Sequence, residues 1–98
     1  PRIVPLIRRH AEDGAWIAAI CAAPTALHDA GLLAGHRFTA HPSVAAELPG
    51  PLSQEAVVVD GRLITSRGAG TAVEFGLAIV EALQGKARAE ETRRSVCA

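Results

Sequence analysis

Hydrophobic and polar positions alternate in short blocks along the chain, and each block predicts an element. Pro5 to Glu12 (PLIRRHAE) has a proline at a helix-start position and polar groups along one side, so it predicts a short helix that Asp13-Gly14 ends. Trp16 to Ile20 (WIAAI) is a continuous apolar run, as expected of a strand buried on both faces. Cys21 follows directly, and Pro24 stands where a new helix starts, running through Thr25 to Ala30 with Gly31 as its terminator. The layout is strand, sharp turn carrying a cysteine, then helix.

Further on, Arg37 to Ala40 (RFTA) predicts another short strand leading into His41-Pro42, and Leu48 to Leu52 (LPGPL) a loop. Val57 to Asp60 and Leu63 to Ser66 flank Asp60-Gly61-Arg62, a hairpin signal. Arg67 to Gly70 is a glycine-rich link into the strongest helix, from Thr71 to Gln84. There Thr71 and Glu74 have capping-box spacing, and Gly85 stops the helix. Val73, Phe75, Leu77, Ile79, Val80 and Leu83 point in several directions from it, so this helix needs partners on more than one side. Arg88 to Ala98 is charged without clear periodicity, a loose helix or tail, and no internal repeat is present. Strands alternating with helices predict an α/β fold with about four strands in a parallel or mixed sheet.

Composition changes this picture in one respect. Of 98 residues, 49 % are apolar but 20 are alanine, so larger apolar groups are few and the core is thin or shared with other chain. One domain at most fits the length, and the absence of methionine adds to the expectation of a part of a larger protein. Ten basic residues against ten acidic ones give zero formal charge, and Arg93 with Arg94 is too little for a nucleic-acid patch. No apolar run reaches the roughly 18 residues of a membrane span, and no leader pattern opens the chain. Two cysteines do not make a disulfide framework, so a reducing cytoplasm is expected.

Cys21 is the sharpest chemical feature. Between a buried strand and a helix start it lies at the carboxyl end of the sheet, where open α/β folds gather ligands. The free N–H groups and positive end of the following helix favour thiolate over thiol. Ala22 and Ala23 permit a tight turn, and their N–H groups are candidate oxyanion donors. On spacing alone, an inert buried cysteine fits equally well. His41 is the candidate to polarise Cys21, although a capping or core histidine fits its spacing better. His10, His28 and His36 read as solvated, and none of the four histidines has metal-ligand spacing, so no zinc site is expected. Gly68 and Gly70 are weakly like a phosphate loop, and a turn needing positive φ explains them without a ligand. Arg67 beside them reaches either a carboxylate or phosphate, or a surface salt bridge. Trp16 reads as core, and Cys97 as an incidental exposed thiol.

The runs IAAICAAPTAL, TAHP and LITSRGAGTAVEFGLAIVEALQGK, in that order, resemble the second half of the ThiJ/PfpI family, the family of the Parkinsonism-associated protein deglycase, related more distantly to class I glutamine amidotransferases. The resemblance implies a flavodoxin-like three-layer α/β sandwich with a mostly parallel sheet, usually a homodimer. Residues 1–86 would be the second half of that domain and 87–98 a charged tail. It implies that Cys21 is the elbow nucleophile and His41 its neighbour, that Ala22 and Ala23 belong to the elbow, and that Arg67, Gly68 and Gly70 form a loop close to the site. The implied activity is a cofactor-free glyoxalase or deglycase acting on small α-oxoaldehydes or their glycated adducts through a Cys21 thiolate. The alternatives are an oxidative-stress sensor or chaperone without turnover, or a non-catalytic fragment that packs against a partner. The peptidase branch has a histidine after the nucleophile where this chain has Ala22, which argues against proteolysis. The family's first half, with a protonated glutamate and an oxyanion loop, has no counterpart here. The sheet edge near Trp16 and much of the Thr71 helix are then expected to be exposed, favouring aggregation or obligatory pairing.

Overall fold

A computed structural model describes residues 3–50 and 52–96. In chain order the elements are α1 (Ile3–Glu12), β1 (Ile17–Ile20), α2 (Pro24–Asp29), a 3-10 helix (Pro42–Glu47), β2 (Val57–Asp60), β3 (Leu63–Ser66), a 3-10 turn (Ala69–Thr71), α3 (Ala72–Gln84) and α4 (Lys86–Ser95). The sheet order is β1-β3-β2, with β1 parallel and β2 antiparallel to β3. The fold is α/β with a small mixed sheet.

The β2–β3 hairpin forms where the Asp-Gly signal places it. Gly61 takes φ +62 at the first central position, where a two-residue turn that matches strand twist needs a left-handed residue. Register then sorts the side chains. Ile17 and Ala19 of β1 share a face with Leu63 of β3 and join Leu27, Leu33, Phe38, Ala40 and Leu48 in the core cluster. Ile64 points to the opposite face and is almost fully buried; α3 packs across the strands, with Leu77 as its buried residue. The Arg8 Nε–H bonds the Ala30 carbonyl at 3.1 Å, tying α1 to the carbonyl end of α2, where a cation is favoured.

Several expectations are corrected. Arg37–Ala40 is not a strand, because its backbone groups find side chains and a loop instead of a ladder. Arg37 N–H donates to the Asp60 carboxylate (2.7 Å), Thr39 N–H to Thr65 Oγ1 (2.9 Å), and the Phe38 carbonyl accepts from Ser53 N–H. Three strands are therefore seen among the described residues instead of about four. β1 is not buried on both faces, since Ala18 is exposed. Trp16 precedes β1 and is half-buried, with the Arg62 guanidinium 5.5 Å from its ring centroid. The stretch after Gly85 is a helix, α4, with Ala89 buried. Val73 and Leu83 of α3 are 50 % and 62 % exposed, as a helix apolar on several sides would be where part of its cover is missing. No helix among the described residues is long and apolar enough to cross a membrane.

Candidate active site at the Cys21 elbow

Cys21 leaves β1 with φ +65, the one left-handed non-glycine among the described residues. For an L-residue this costs about 1–2 kcal/mol, and it persists only where neighbouring structure over-determines it. Both backbone groups of Cys21 are tied. Its N–H donates to the Ser66 carbonyl at 3.1 Å, and its carbonyl accepts from His41 N–H at 2.7 Å. The next turn is closed by Ala23 N–H to the Ile20 carbonyl, and by the amide and hydroxyl of Thr25, both donating to the Ala22 carbonyl. The outcome is an exposed, free thiol on a strained turn before α2. The buried alternative for this cysteine does not hold.

The same bonds bring three separate stretches together. His41 is the N-cap of the 3-10 helix at Pro42–Glu47, and its Nδ1 accepts from Ser43 N–H at 3.1 Å and lies 2.8 Å from Ser43 Oγ. The capping role read from its spacing is therefore real, and it is compatible with a second role. With Nδ1 accepting, the neutral ring carries its proton on Nε2. A methyl group added at Gly68 would lie 3.5 Å from His41 Cδ2, the ring carbon next to Nε2. The 67–70 loop thus starts from the Ser66 carbonyl that holds Cys21 and passes beside the ring of His41, with room for the bare Gly68 backbone.

Other predicted site residues fare unequally. Ala23 is a correction as an oxyanion donor, because its N–H is committed to Ile20; Ala22 N–H has no hydrogen-bond partner among the described residues. Gly68 is fully extended (φ 170) and Gly70 lies in the 3-10 turn, so neither uses the left-handed conformation expected of it. Arg67 is half-buried and in no ion pair among the described residues. Thr71 does not form a capping box with Glu74; its hydroxyl turns back to Ser66 and Gly68. His36 is exposed but not merely solvated, pairing with Asp60 at 3.3 Å. Cys97 lies outside the described residues. No cluster of three metal-ligating side chains occurs among the described residues. Sequence reasoning missed Ser43 and Ser66. The available signal for Ser66 was the polar Thr65-Ser66 pair that closes a strand opening on Leu63-Ile64.

Comparison with known proteins identifies the family. The model of the DJ-1/PfpI family matches residues 1–82. The Drosophila melanogaster protein dj-1beta is 45 % identical over 93 % of this chain and 50 % of its own length. A Caenorhabditis elegans protein named glutathione-independent glyoxalase DJR-1.2 is 37 % identical over 99 % of this chain and 53 % of its own. The structure of oxidized Toxoplasma gondii DJ-1 superposes with a TM-score of 0.89 at 31 % identity, covering 96 % of this chain and 52 % of that one. The chain spans about half the length of the relatives it matches. With the family model matching most of its residues, the chain belongs to the DJ-1/PfpI family.

Proposed function

We propose that this chain carries the nucleophile side of a cofactor-independent site that converts α-oxoaldehydes, or their glycated adducts, to 2-hydroxy acids. The observation that carries the reading is the exposed Cys21 thiol held at φ +65 by hydrogen bonds on both its backbone groups. A strained position stabilised from both sides is the form a nucleophile elbow takes. The C. elegans relative named as a glyoxalase supports the substrate class.

In this reading the Cys21 thiolate forms a C–S bond to the aldehyde carbon, and the carbonyl electron pair moves to oxygen, which gains a proton to give a hemithioacetal. The C1 proton then leaves and another is added at C2, so C1 is oxidised to a thioester while C2 is reduced to an alcohol. Water hydrolyses the thioester and frees the thiol. His41, with Nδ1 accepting from Ser43, offers an Nε2–H. It suits a donor that stabilises thiolate or alkoxide, as a neutral imidazole does elsewhere, and not a base that takes the Cys21 proton. Ala22 N–H is the second donor, and Arg67 meets the carboxylate of the product. The acid that serves C2 is assigned to no residue of this chain. A reducing cytoplasm, which keeps the thiol free, and a homodimer belong to the same reading.

The test is lactate formation from methylglyoxal. It should appear with the wild-type protein and vanish in Cys21→Ala; a rate unchanged in that variant overturns the reading. Oxidation of Cys21 at low peroxide with no lactate formed would favour the sensor instead, for which the exposure of this thiol is the supporting observation.

A further inference from the structure

Thr71 breaks a local rule. Its sequence context, with Glu74 three residues on, is that of a helix N-cap, yet its side chain caps nothing in α3. It lies instead 2.6 Å from Ser66 Oγ, with Gly68 N–H donating to it at 3.2 Å. The direction of these bonds follows from their end point. Ser66 Oγ lies 2.7 Å from the Ala56 carbonyl, which can only accept, so the single Ser66 proton goes there. The Thr71 proton, which also lies within reach of the Gly68 carbonyl, then follows the shorter contact, to Ser66 Oγ. The Gly68 carbonyl, 3.0 Å from Thr71 Oγ1, already receives Thr71 N–H at 2.9 Å. A one-way chain results: Gly68 N–H to Thr71, Thr71 to Ser66, Ser66 to Ala56. Gly68 at the donating end and Ser66 in the middle are buried and Ala56 at the accepting end is half-buried, so the chain is anchored in the fold.

What the chain fixes is the strap of residues 66–71, and that strap touches the site twice. The Ser66 carbonyl holds Cys21 N–H, and Gly68 faces the His41 ring, so that a methyl built on it would meet His41 Cδ2 at 3.5 Å. Departures from local sequence preference are expected where a residue serves a site. We infer that Thr71 is a positioning residue: through Gly68 it sets the orientation of the His41 ring, and so how His41 acts on Cys21. The inference rests on Cys21 and His41 forming the site proposed above, but not on aldehyde turnover.

The experiment follows Cys21 alkylation by iodoacetamide against pH, by peptide mapping, with Cys97 as an internal reference, alongside imidazole NMR of the histidines. Thr71→Val should move the ring resonances of His41 but not those of His10 or His28. It should slow Cys21 alkylation about as much as His41→Ala does, on the order of tenfold, and Thr71→Ser should restore it. The Thr71→Val/His41→Ala double variant should be no slower than His41→Ala alone, since residues acting through one another are non-additive. Thr92→Val, which removes an exposed α4 hydroxyl bonded to the Arg88 carbonyl, should change none of these readouts. An unaltered Cys21 rate and unmoved His41 resonances in folded Thr71→Val, or multiplicative effects in the double variant, overturn the inference. Should Thr71→Val not fold, Gly68→Ala takes its place, because it keeps every hydrogen bond and adds a methyl 3.5 Å from the ring. Its His41 resonances and Cys21 rate should both change, and no change in either overturns the inference. Loss of lactate formation with these readouts intact would instead count against the proposed reaction.

Discussion

The two ends of the β1–β3 pair use hydrogen bonds for different purposes. At the carboxyl end, the Ser66 carbonyl and His41 N–H hold Cys21 in a conformation it would not adopt alone, and the thiol is left exposed. At the amino end, Asp60 takes Arg37 N–H and pairs with His36, Arg62 lies over Trp16, and the hairpin turn is closed by a glycine already suited to it. One end holds strain in place; the other relieves it. Within one small sheet, this asymmetry is what supports proposing the carboxyl end as the place of chemistry and the amino end as a fastening.

The largest way to break the comparison is to remove what both ends share. Ile64, almost wholly buried in the middle of β3, pairs with Ala18 and Val59 and supports both ends at once. Ile64→Ala should cost about 2–5 kcal/mol by loss of burial and a residual cavity. In urea, the fluorescence of Trp16, at the amino end, and the change of the Cys21 alkylation rate from its folded to its unfolded value, at the carboxyl end, should shift together to lower denaturant. Two separated transitions would show that the ends are independent units and that the comparison joins things the fold does not.

A smaller change should separate the ends. Cys21→Gly removes the thiol and also the steric cost of φ +65, while glycine loses more backbone entropy on folding. The expected balance is a stability gain of up to about 1 kcal/mol, with all Cys21-dependent chemistry gone. A clear loss of stability in equilibrium unfolding would mean that the elbow is not strained in the sense argued above.

This strain was not legible in the sequence, and the reason is physical. The strand-cysteine-helix order is written in local periodicity and in Pro24, and the hairpin in Asp60-Gly61, so these elements fall where patterning puts them. A left-handed cysteine depends on bonds from Ser66 and His41, residues 45 and 20 positions away by their numbers, and no local preference encodes it. Segment 37–40 has strand-like composition, but its partners are the side chains of Asp60 and Thr65, which a backbone-pairing rule does not anticipate. Thr71 shows the opposite error. Its local signature is correct for a cap of α3, and bonds of its hydroxyl back to Ser66 and Gly68, in the turn just before the helix, override it. The glycines of the 67–70 loop suggest left-handed turns because loops often need them, whereas here Gly68 is extended and stands beside an imidazole.

The smallest effect sharpens the amino end. The carboxyl of Asp60 is held below its ordinary value first by the hydrogen bond from Arg37 N–H and then by the neighbouring charges of His36 and Arg37, with desolvation opposing. A carboxyl lowered in the folded state stabilises the fold above its unfolded value, near pH 4, and the contribution is lost as pH falls through the lower, folded value. Asp60→Asn should therefore lower the melting temperature slightly at pH 7. The difference from wild type should narrow below about pH 4 and close at the lowest pH, where the wild-type carboxyl is itself protonated. Because the group is solvent-accessible, the effect should also shrink in high salt, leaving the neutral hydrogen bond from Arg37 as the remainder. Cys21 alkylation should be the same in the variant and the wild type, since Asp60 and the elbow lie at opposite ends of β3. A changed Cys21 rate, or a stability difference that widens toward acid, would mean that the fastening and the chemistry are coupled along the strand.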